Sequence, residues 1–427
     1  MKTDKKLLYA VVISCVAVLV VFAIIIAGIM IAKKIRPEKT EETEEVTTDD
    51  KSVLDEFDEF AGVWIASVFN IDFPSQKDLS AEALRAELDS IVDNAADAGL
   101  NTIFFQVRPE ADALYKSEIF PVSRYISSSG VLEIDTLEYI IEKAHEKGIA
   151  VHAWVNPLRV SSSATVTLET LPDDHPAKKN PDWVVSYADG KMYFNAGLPE
   201  VRDLVVRGVR EIVENYAVDG IVFDDYFYPY PVYETLADGS RQTASFDDAV
   251  AYETYAGDKA LDAWRRDNIN KLIADVYNTV KSTSEKCLFG VSPFGIWKNG
   301  YGDESGSLTT GSESYSMLYC DSLAWVREGY IDYIAPQLYW RNSDSAAPFN
   351  VLCDWWNSMV EGTGVRLLIS HGAYRYENDW QDPSGIITEQ VEYAREMQNY
   401  RGSIYYGYYE VRSNLEGLKD ELKELYK

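Results

Sequence analysis

Cysteine is scarce in this chain, with only four residues of this type among 427. No two of them form a CxxC pair or a Cys/His spacing typical of a zinc site. Beyond Cys15, only Cys287, Cys320 and Cys353 remain, and an odd, widely spaced set argues against a disulfide framework. Phosphate-binding motifs are also missing, since neither a GxGxxG after the first apolar run nor a P-loop occurs. A nucleotide cofactor is therefore not supported.

Positive charge is in short supply as well. The 40 Lys and Arg residues stand against 69 Asp and Glu residues, which leaves a formal net charge of -29. Nothing in this composition is arranged to neutralise phosphates, so nucleic acid is not expected as a partner. A basic face for anionic lipid is disfavoured for the same reason, whereas a neutral or cationic substrate is compatible. Aromatic residues are plentiful, with 29 Tyr and 10 Trp, and their faces serve as sugar platforms as well as core.

One long uncharged segment stands apart from the rest of the chain. Residues 7–32 carry no charge over 26 positions, which exceeds a signal-peptide core and is long enough to span a bilayer. Residues 1–6 form a short basic tail, residues 33–56 an acidic linker expected to be disordered, and residues 57–427 a globular domain. Lysines flank the predicted transmembrane anchor on both sides, so charge alone does not set its orientation.

From residue 60 onward, short apolar runs alternate with amphipathic segments, a pattern typical of βα units around a parallel sheet. Ser80, Asp135 and Pro199 stand where three helices should begin. A long helix is predicted near 260–284 and a charged one near 414–426. The eight predicted strands cover residues 60–67, 101–107, 149–155, 220–223, 288–292, 333–336, 365–370 and 402–406.

The loops at the two ends of these strands are unequal in length. Connections that enter strands are short, whereas several that leave strands are long: 108–134, 156–198, 225–259 and 293–312. Elaboration on one face is typical of barrel enzymes, which build their sites at the carboxyl ends of the strands. The sequence therefore predicts an α/β fold, a (β/α)8 TIM barrel with an N-terminal transmembrane helix. An open doubly wound sheet is the alternative, although it would need no eighth strand.

Two adjacent carboxylates follow the fourth run, in the stretch Phe223-Asp224-Asp225-Tyr226. Residues in this position could simply cap a helix or solvate a loop, but they are also where a barrel presents catalytic groups. Glycoside cleavage generally needs two carboxyl groups, one to protonate the leaving oxygen and one to act as nucleophile or base. Neighbouring residues on a strand point to opposite faces, so both can face the axis only if the strand ends or bulges there.

The predicted catalytic residues are Asp224, Asp225 and Asp112, and the partner carboxylate stays open. Asp112, Glu110 or Glu410 could supply it. If the sugar carries a 2-acetamido group, its own carbonyl could instead be the nucleophile, with the Asp pair orienting it. A hard cation held by the three Asp residues is a weaker alternative, and no metal is predicted.

Polar and aromatic side chains follow seven of the eight runs, which describes a cleft for a polyhydroxylated ligand. Two of these side chains have an equally good structural interpretation. Arg108 could pair with Asp112 in the loop, and His152 could be a core histidine. The predicted substrate-binding residues are Gln106, Arg108, His152, Asn156, Tyr226, Ser292, Trp297, Gln337, Tyr339, Trp340, Tyr406 and Glu410.

Several long motifs, in order along the domain, resemble those of the glycosyl-hydrolase-like family 10. The resemblance extends from about residue 60 to 410. It rests on the stretches at 62–67 with 72–75, 105–115, 152–157, 223–226, 291–295 and 335–340.

The resemblance implies a barrel glycoside hydrolase that acts on bacterial cell-surface glycan outside the cell membrane. At least one relative in that family is understood to cut peptidoglycan strands that lack their peptides. The resemblance therefore implies a membrane-anchored, extracellular hydrolase of N-acetylhexosamine-containing cell-wall glycan. A hydrolase of another exopolysaccharide and a non-catalytic glycan-binding barrel are the alternatives.

Overall fold

The computed structural model describes residues 57–236, 238–301 and 305–427. Eight parallel strands close into a barrel, in which each strand pairs with the next and β8 pairs with β1 through Phe60 and Gly402. The prediction of eight barrel strands is confirmed, and the predicted bounds agree within two residues. The strands are β1 Phe60–Ile65, β2 Thr102–Arg108, β3 Ala150–Val155, β4 Gly220–Phe223, β5 Leu288–Val291, β6 Tyr333–Ile334, β7 Arg366–His371 and β8 Tyr400–Tyr405.

A helix follows each barrel strand, and two predicted caps are formed. The Ser80 hydroxyl accepts a hydrogen bond from the Ala83 amide (3.3 Å), and Asp135 accepts one from the Glu138 amide (3.3 Å). Such caps satisfy amides that the first helical turn leaves unpaired. The helices are α1 Ala81–Asp97, α2 Thr136–His145, α3 Pro199–Asn215, α4 Leu261–Thr283, α5 Ser322–Glu328, α6 Phe349–Val360, α7 Ile386–Arg395 and α8 Leu418–Leu425.

The long loops carry additional structure at the carboxyl ends of the strands. A three-stranded antiparallel sheet of Arg159–Ser161, Val184–Ser186 and Met192–Phe194 lies in the loop after β3. A hairpin of Tyr233–Thr235 and Arg241–Thr243 lies in the loop after β4. Short helices occupy Pro176–Lys179, Ala249–Tyr255, Ser314–Met317, Arg375–Asn378 and Tyr408–Arg412, and 3-10 turns occupy Val68–Asn70, Leu168–Thr170, Pro181–Trp183 and Leu415–Gly417.

The barrel interior is filled with side chains, many of them aromatic. Alternate strand residues point inward, so Val222 of β4 packs inside while Ile221 and Phe223 pack toward the helices. The Tyr333 ring occupies the space beside Gly290. Any larger residue would clash there, because a Cβ at that position would lie 2.1 Å from the ring. A filled barrel is a core and not a channel, so a ligand can reach it only at a mouth.

Within the described ranges, no helix is both long and apolar enough to cross a membrane. The predicted tail at 1–6, anchor at 7–32 and linker at 33–56 lie outside the described residues.

Candidate active site

The two carboxylates of the fourth strand both open into one cleft at the carboxyl end of the barrel. β4 ends at Phe223, whose carbonyl accepts the last ladder bond from the Ser292 amide (2.7 Å). Asp224 continues the inward alternation of Val222. Asp225 lies beyond the end of the strand, so its side chain does not have to point to the face opposite Asp224. Both acids are about 95% buried. The geometric condition for two adjacent acids to share one site is therefore met.

The cleft has two lobes, and Asp224 lies between them. The first lobe, on the side of β5 to β7, has a volume of about 260 Å3. The second lobe, on the side of β1 to β3, has a volume of about 280 Å3. Trp154, Asp224, Tyr226 and Tyr406 line both lobes, so the two are contiguous.

The walls of the first lobe are mostly aromatic. The rings of Tyr339 and Tyr406 are nearly parallel, with centroids 6.1 Å apart and an angle of 11°. Flat walls of this kind suit the apolar faces of sugar rings. The residues unique to this lobe are Trp64, Asp225, Tyr230, Ser292, Phe294, Gln337, Tyr339, Trp340, Tyr374 and Arg375.

A chain of directed hydrogen bonds holds Asp224. The amides of Ser67 and Val68 donate to Gln106 Oε1 (2.8 and 2.9 Å), and Gln106 Nε2 donates to Asn156 Oδ1 (2.7 Å). The Asn156 amide is thereby oriented so that its Nδ2 donates to Asp224 Oδ2 (2.6 Å).

Two further donors reach the same carboxylate. Trp154 Nε1 donates to Oδ2 of Asp224 (3.1 Å), and the Tyr226 amide donates to Oδ1 (3.1 Å). Indole and backbone N–H groups can only donate, so every described partner of Asp224 favours its ionised form.

Asp225 has a different set of partners. Gln337 Nε2 donates to its Oδ1 (3.2 Å) and to the Ser292 carbonyl (3.1 Å), so the orientation of this amide is set. The Tyr230 hydroxyl bonds to Oδ2 of Asp225. Burial raises the pKa of Tyr230, so it remains a hydroxyl that can either donate or accept. Asp225 could therefore gain a proton and keep Tyr230 as a hydrogen-bond partner.

The pair binds a proton more tightly than isolated carboxyl groups do. Burial raises the pKa of both acids, and the charge of Asp225 raises the pKa of Asp224 further. Arg159 opposes the rise at both positions. Two adjacent buried carboxylates resist simultaneous ionisation, so the pair takes up a proton at a higher pH than an exposed carboxylate would.

Most of the predicted site residues meet in this cleft. Gln106 lines the second lobe, and Asn156 lies behind Asp224 and orients it. The predicted residues that line the first lobe are Asp224, Asp225, Tyr226, Ser292, Gln337, Tyr339, Trp340 and Tyr406.

Three predicted residues lie away from the cleft because their strands or loops turn them elsewhere. A register shift at the end of β2 turns Arg108 outward, where its guanidinium lies 4.4 Å from the centre of the Phe120 ring. His152 lies inside the barrel, where it bonds to the Tyr333 hydroxyl (2.8 Å) and where burial lowers its pKa to about 4. Trp297 stacks on Trp355 with ring centroids 5.9 Å apart.

The three other acidic candidates are also absent from the lobe walls. Asp112 is buried beside Arg124, whose amide donates to its Oδ2 (3.3 Å), while its Oδ1 has no partner among the described residues. Glu110 forms a salt bridge with Arg124 (2.9 Å). Glu410 is buried in the short helix after β8. The structure thus gathers Asp224 and Asp225, and it leaves Asp112 and Glu410 outside their cleft.

The sequence prediction omitted several lining residues. Trp64 and Trp154 were missed as site residues because they lie within strands, yet the alternation places Trp154 on the same side as Asn156. Tyr230 and Lys191 lie in long loops, and no sequence signal marks which loop residue returns to the cleft. Among the described residues, no group of three His, Cys, Asp or Glu side chains could hold a metal ion.

Comparison with known proteins places this domain among glycosyl hydrolases. The model of the family described as Glycosyl hydrolase-like 10 matches residues 59–383. The chain is 38% identical over 373 residues to glycosyl hydrolase YngK of Bacillus subtilis (strain 168), covering 85% of this chain and 71% of that protein. It is 36% identical over 371 residues to glycosyl hydrolase DigH of Escherichia coli (strain K12), covering 81% and 82%.

A solved structure supports the fold. The PgaB (BpsB) glycoside hydrolase domain from Bordetella bronchiseptica superposes with a TM-score of 0.54 at 14% identity, covering 86% of this chain and 99% of that one. Such low identity bears on the barrel fold alone.

We expect Asp112→Asn to stabilise the folded protein at alkaline pH. Burial, followed by the charge of Glu110, raises the pKa of Asp112 from 3.8 to about 7. Between about pH 4 and 7 the folded state keeps a proton that the unfolded state releases, so this acid favours folding less as the pH rises. The variant lacks that penalty, and its free energy of unfolding should exceed the wild-type value by about 2–4 kcal/mol at pH 8.

Urea unfolding of the full chain at pH 4, 6 and 8 measures this effect. The two proteins should be equally stable at pH 4. Asp93→Asn, which changes an exposed acid paired with Lys147 (2.5 Å), is the control and should not be more stable than the wild type at pH 8. A difference that stays constant with pH would contradict the expected titration of Asp112.

Proposed function

This chain belongs to the glycosyl hydrolase-like 10 family and is a glycoside hydrolase, and from that premise we propose that it cleaves N-acetylhexosamine-containing cell-wall glycan. The specific substrate we propose is peptidoglycan strands that lack their stem peptides. The family resemblance supports this choice, because at least one relative is understood to cut such strands.

The observation that carries the proposal is the buried pair of Asp224 and Asp225 in a two-lobed aromatic cleft. A polysaccharide that crosses the pair would place one ring in each lobe and the bond between them beside the carboxyl groups. Aromatic walls bind the rings, while the acids supply proton transfer.

We assign different roles to the two acids from their hydrogen-bond partners. Asp224 accepts hydrogen bonds from N–H groups only, and it acts as the carboxylate. One oxygen of Asp225 is hydrogen-bonded to the Tyr230 hydroxyl, which can either donate or accept, and Asp225 acts as the general acid. Neighbouring carboxyl groups with opposite protonation states are a common way to obtain an acid and a base at neutral pH.

A substrate-assisted reaction fits this assignment and needs no third acid. The acetamido N–H of the sugar donates to Asp224, and the acetamido carbonyl oxygen attacks C1. The bond between C1 and the bridging oxygen breaks, and that oxygen takes the proton of Asp225. Water then opens the oxazolinium ring and returns a proton to Asp225. The absence of Asp112 and Glu410 from the lobe walls favours this route over a protein nucleophile.

We also propose that residues 7–32 anchor the enzyme in the cell membrane by a single span, with the hydrolase domain outside the cell. The support is the run of 26 uncharged residues and the nature of the proposed substrate. Membrane fractions of cells that express the full chain should retain the protein after a high-salt wash and release it in detergent. Release by salt alone, or resistance to external protease in intact wall-free cells, would contradict this arrangement.

Asp225→Asn should lower the cleavage rate of natural glycan by a factor of about 10²–10⁴, since no group would protonate the leaving sugar. The same variant should lose less than about tenfold on a 4-nitrophenyl glycoside, because nitrophenolate leaves without a proton. Asp224→Asn should lower both rates strongly, because the acetamido group loses its acceptor. Initial rates on both substrates measure the difference.

Asp93→Asn is a matched change of acid to amide on the exposed face of α1 and should keep wild-type rates. Full activity of both cleft variants on the glycan would remove the acid pair from catalysis. If Asp225→Asn lowered the rates on both substrates equally, its assignment as the general acid would be contradicted.

The substrate is tested by comparing two peptidoglycan samples, one intact and one treated with an amidase that removes the stem peptides. We expect soluble oligosaccharides from the treated strands and at least tenfold fewer from intact strands, measured by chromatography and mass spectrometry. Efficient release from both samples would contradict the requirement for peptide removal. Release from neither, with cleavage of another acetylated exopolysaccharide, would support the alternative substrate.

A further inference from the structure

The second lobe carries positive charge in a strongly acidic protein. Arg159 and Lys191 line it, and Asp224 is the one acid among its lining residues. Arg159 lies over the Tyr226 ring (4.1 Å) and donates to the Pro109 carbonyl (3.3 Å). Among the described residues no carboxylate forms a salt bridge with Arg159. Its remaining donors are therefore available to a ligand.

A buried hydroxyl without a partner lies in the wall of the same lobe. Ser162 is 93% buried, and its Oγ has no hydrogen-bond partner among the described residues. Its amide is held by Glu110 Oε1 (2.5 Å), so the residue is anchored through its backbone while its hydroxyl is unused. A buried polar group without a partner is uncommon and points to a partner supplied by a ligand.

The loop after β1 presents an aromatic ring to this lobe. Phe69 is 59% exposed and has a left-handed backbone (φ 55°), as does Asn70. The Asn70 side chain secures the turn by donating to the carbonyls of Pro74 and Tyr125 (2.8 Å each). A bulky residue rarely adopts this conformation, which is typical of sites where a ligand is held.

We propose that the second lobe is a subsite for a carboxylate-bearing sugar, in which Arg159 and Lys191 bind the carboxylate and Phe69 contacts the ring. The first lobe has the opposite character, since it contains both carboxyl groups of the acid pair. The one cation among its lining residues, Arg375, is paired with Asp379 (3.2 Å), whereas in the second lobe only Lys191 is paired, with Asp189 (2.9 Å). The negative ring of an alternating glycan should therefore lie in the second lobe and the neutral ring in the first.

This inference rests on the proposed function and accounts for its most specific feature. In a peptidoglycan strand, every second sugar carries a lactyl group whose carboxyl is amide-linked to the stem peptide. Removing the peptide frees that carboxylate beside the ring. A cationic subsite that requires a pair of charged acceptor oxygens would distinguish peptide-free strands from intact ones, because the amide presents no charge to the guanidinium.

The test measures binding and does not depend on turnover. Calorimetry with the full chain carrying Asp225→Asn would use peptide-free peptidoglycan oligosaccharides and the same oligosaccharides with their carboxyl groups reduced to alcohols. We expect the charged ligand to bind at least tenfold more tightly. Arg159→Gln and Lys191→Gln should each reduce that ratio to below threefold, and Ser162→Ala should reduce it less.

Two matched variants separate recognition from general charge effects. Lys147→Gln removes an exposed lysine that is also paired with an acid, but it lies before β3, away from the cleft, and should keep the full ratio. Asp189 pairs with Lys191 (2.9 Å), so Asp189→Asn frees the lysine and should raise the ratio twofold to fivefold.

The outcomes distinguish the inference from the function on which it rests. Equal binding of the charged and reduced ligands would overturn the inference and leave the proposed function standing. Loss of the preference in Arg375→Gln, with retention in Lys191→Gln and Arg159→Gln, would place the carboxylate in the first lobe and overturn it as well. If neither ligand binds, the proposed substrate itself fails.

Discussion

The site depends on a single relay of hydrogen bonds that ends at Asp224. A carboxylate buried in an aromatic cleft can stay ionised only where donors surround it. Here the relay starts at the backbone of the loop after β1, passes through Gln106 and Asn156, and arrives as a donor at Asp224. Each member is oriented by the one before it, so neither side-chain amide can reverse. The direction of the relay therefore places N–H donors, and no acceptor, on Asp224 Oδ2.

The relay in turn depends on the register of the first four strands. Gln106 lies beside Trp154 in the β2–β3 pairing, and Trp154 lies beside Val222 in the β3–β4 pairing. A slip of one residue in either pairing would turn every inward side chain toward the helices and break the relay. The interior aromatic core opposes such a slip, because glycines opposite His152 and Tyr333 admit those rings only in this register. The packing that stabilises the barrel therefore also aligns the acids.

Much of this arrangement could be predicted from the chain itself. The eight strands, the two helix caps and the position of Asp224 and Asp225 follow from apolar periodicity and local capping chemistry, which act over a few residues. The position of a residue at a strand end did not predict the direction of its side chain. Arg108 and Asn156 both follow strands, yet a register shift in β2 turns the arginine outward while the asparagine stays beside the acid. The end of a strand predicts how far along the barrel axis a residue lies. The local strand pairing decides whether its side chain points into the barrel or toward the helices.

Local sequence patterns were enough to predict the barrel, the face that carries the long loops and the acid pair, because hydrophobic periodicity and short-range backbone preferences act over a few residues. Which residues share the cleft, and which partners each acid has, became clear only from the folded structure. Those features arise from contacts between segments far apart in the chain, such as Gln337 and Tyr230 on Asp225 or Asn156 on Asp224. The affinity of a buried acid for a proton is set by the burial and the partners that folding brings to it. Those partners come from several different strands and loops.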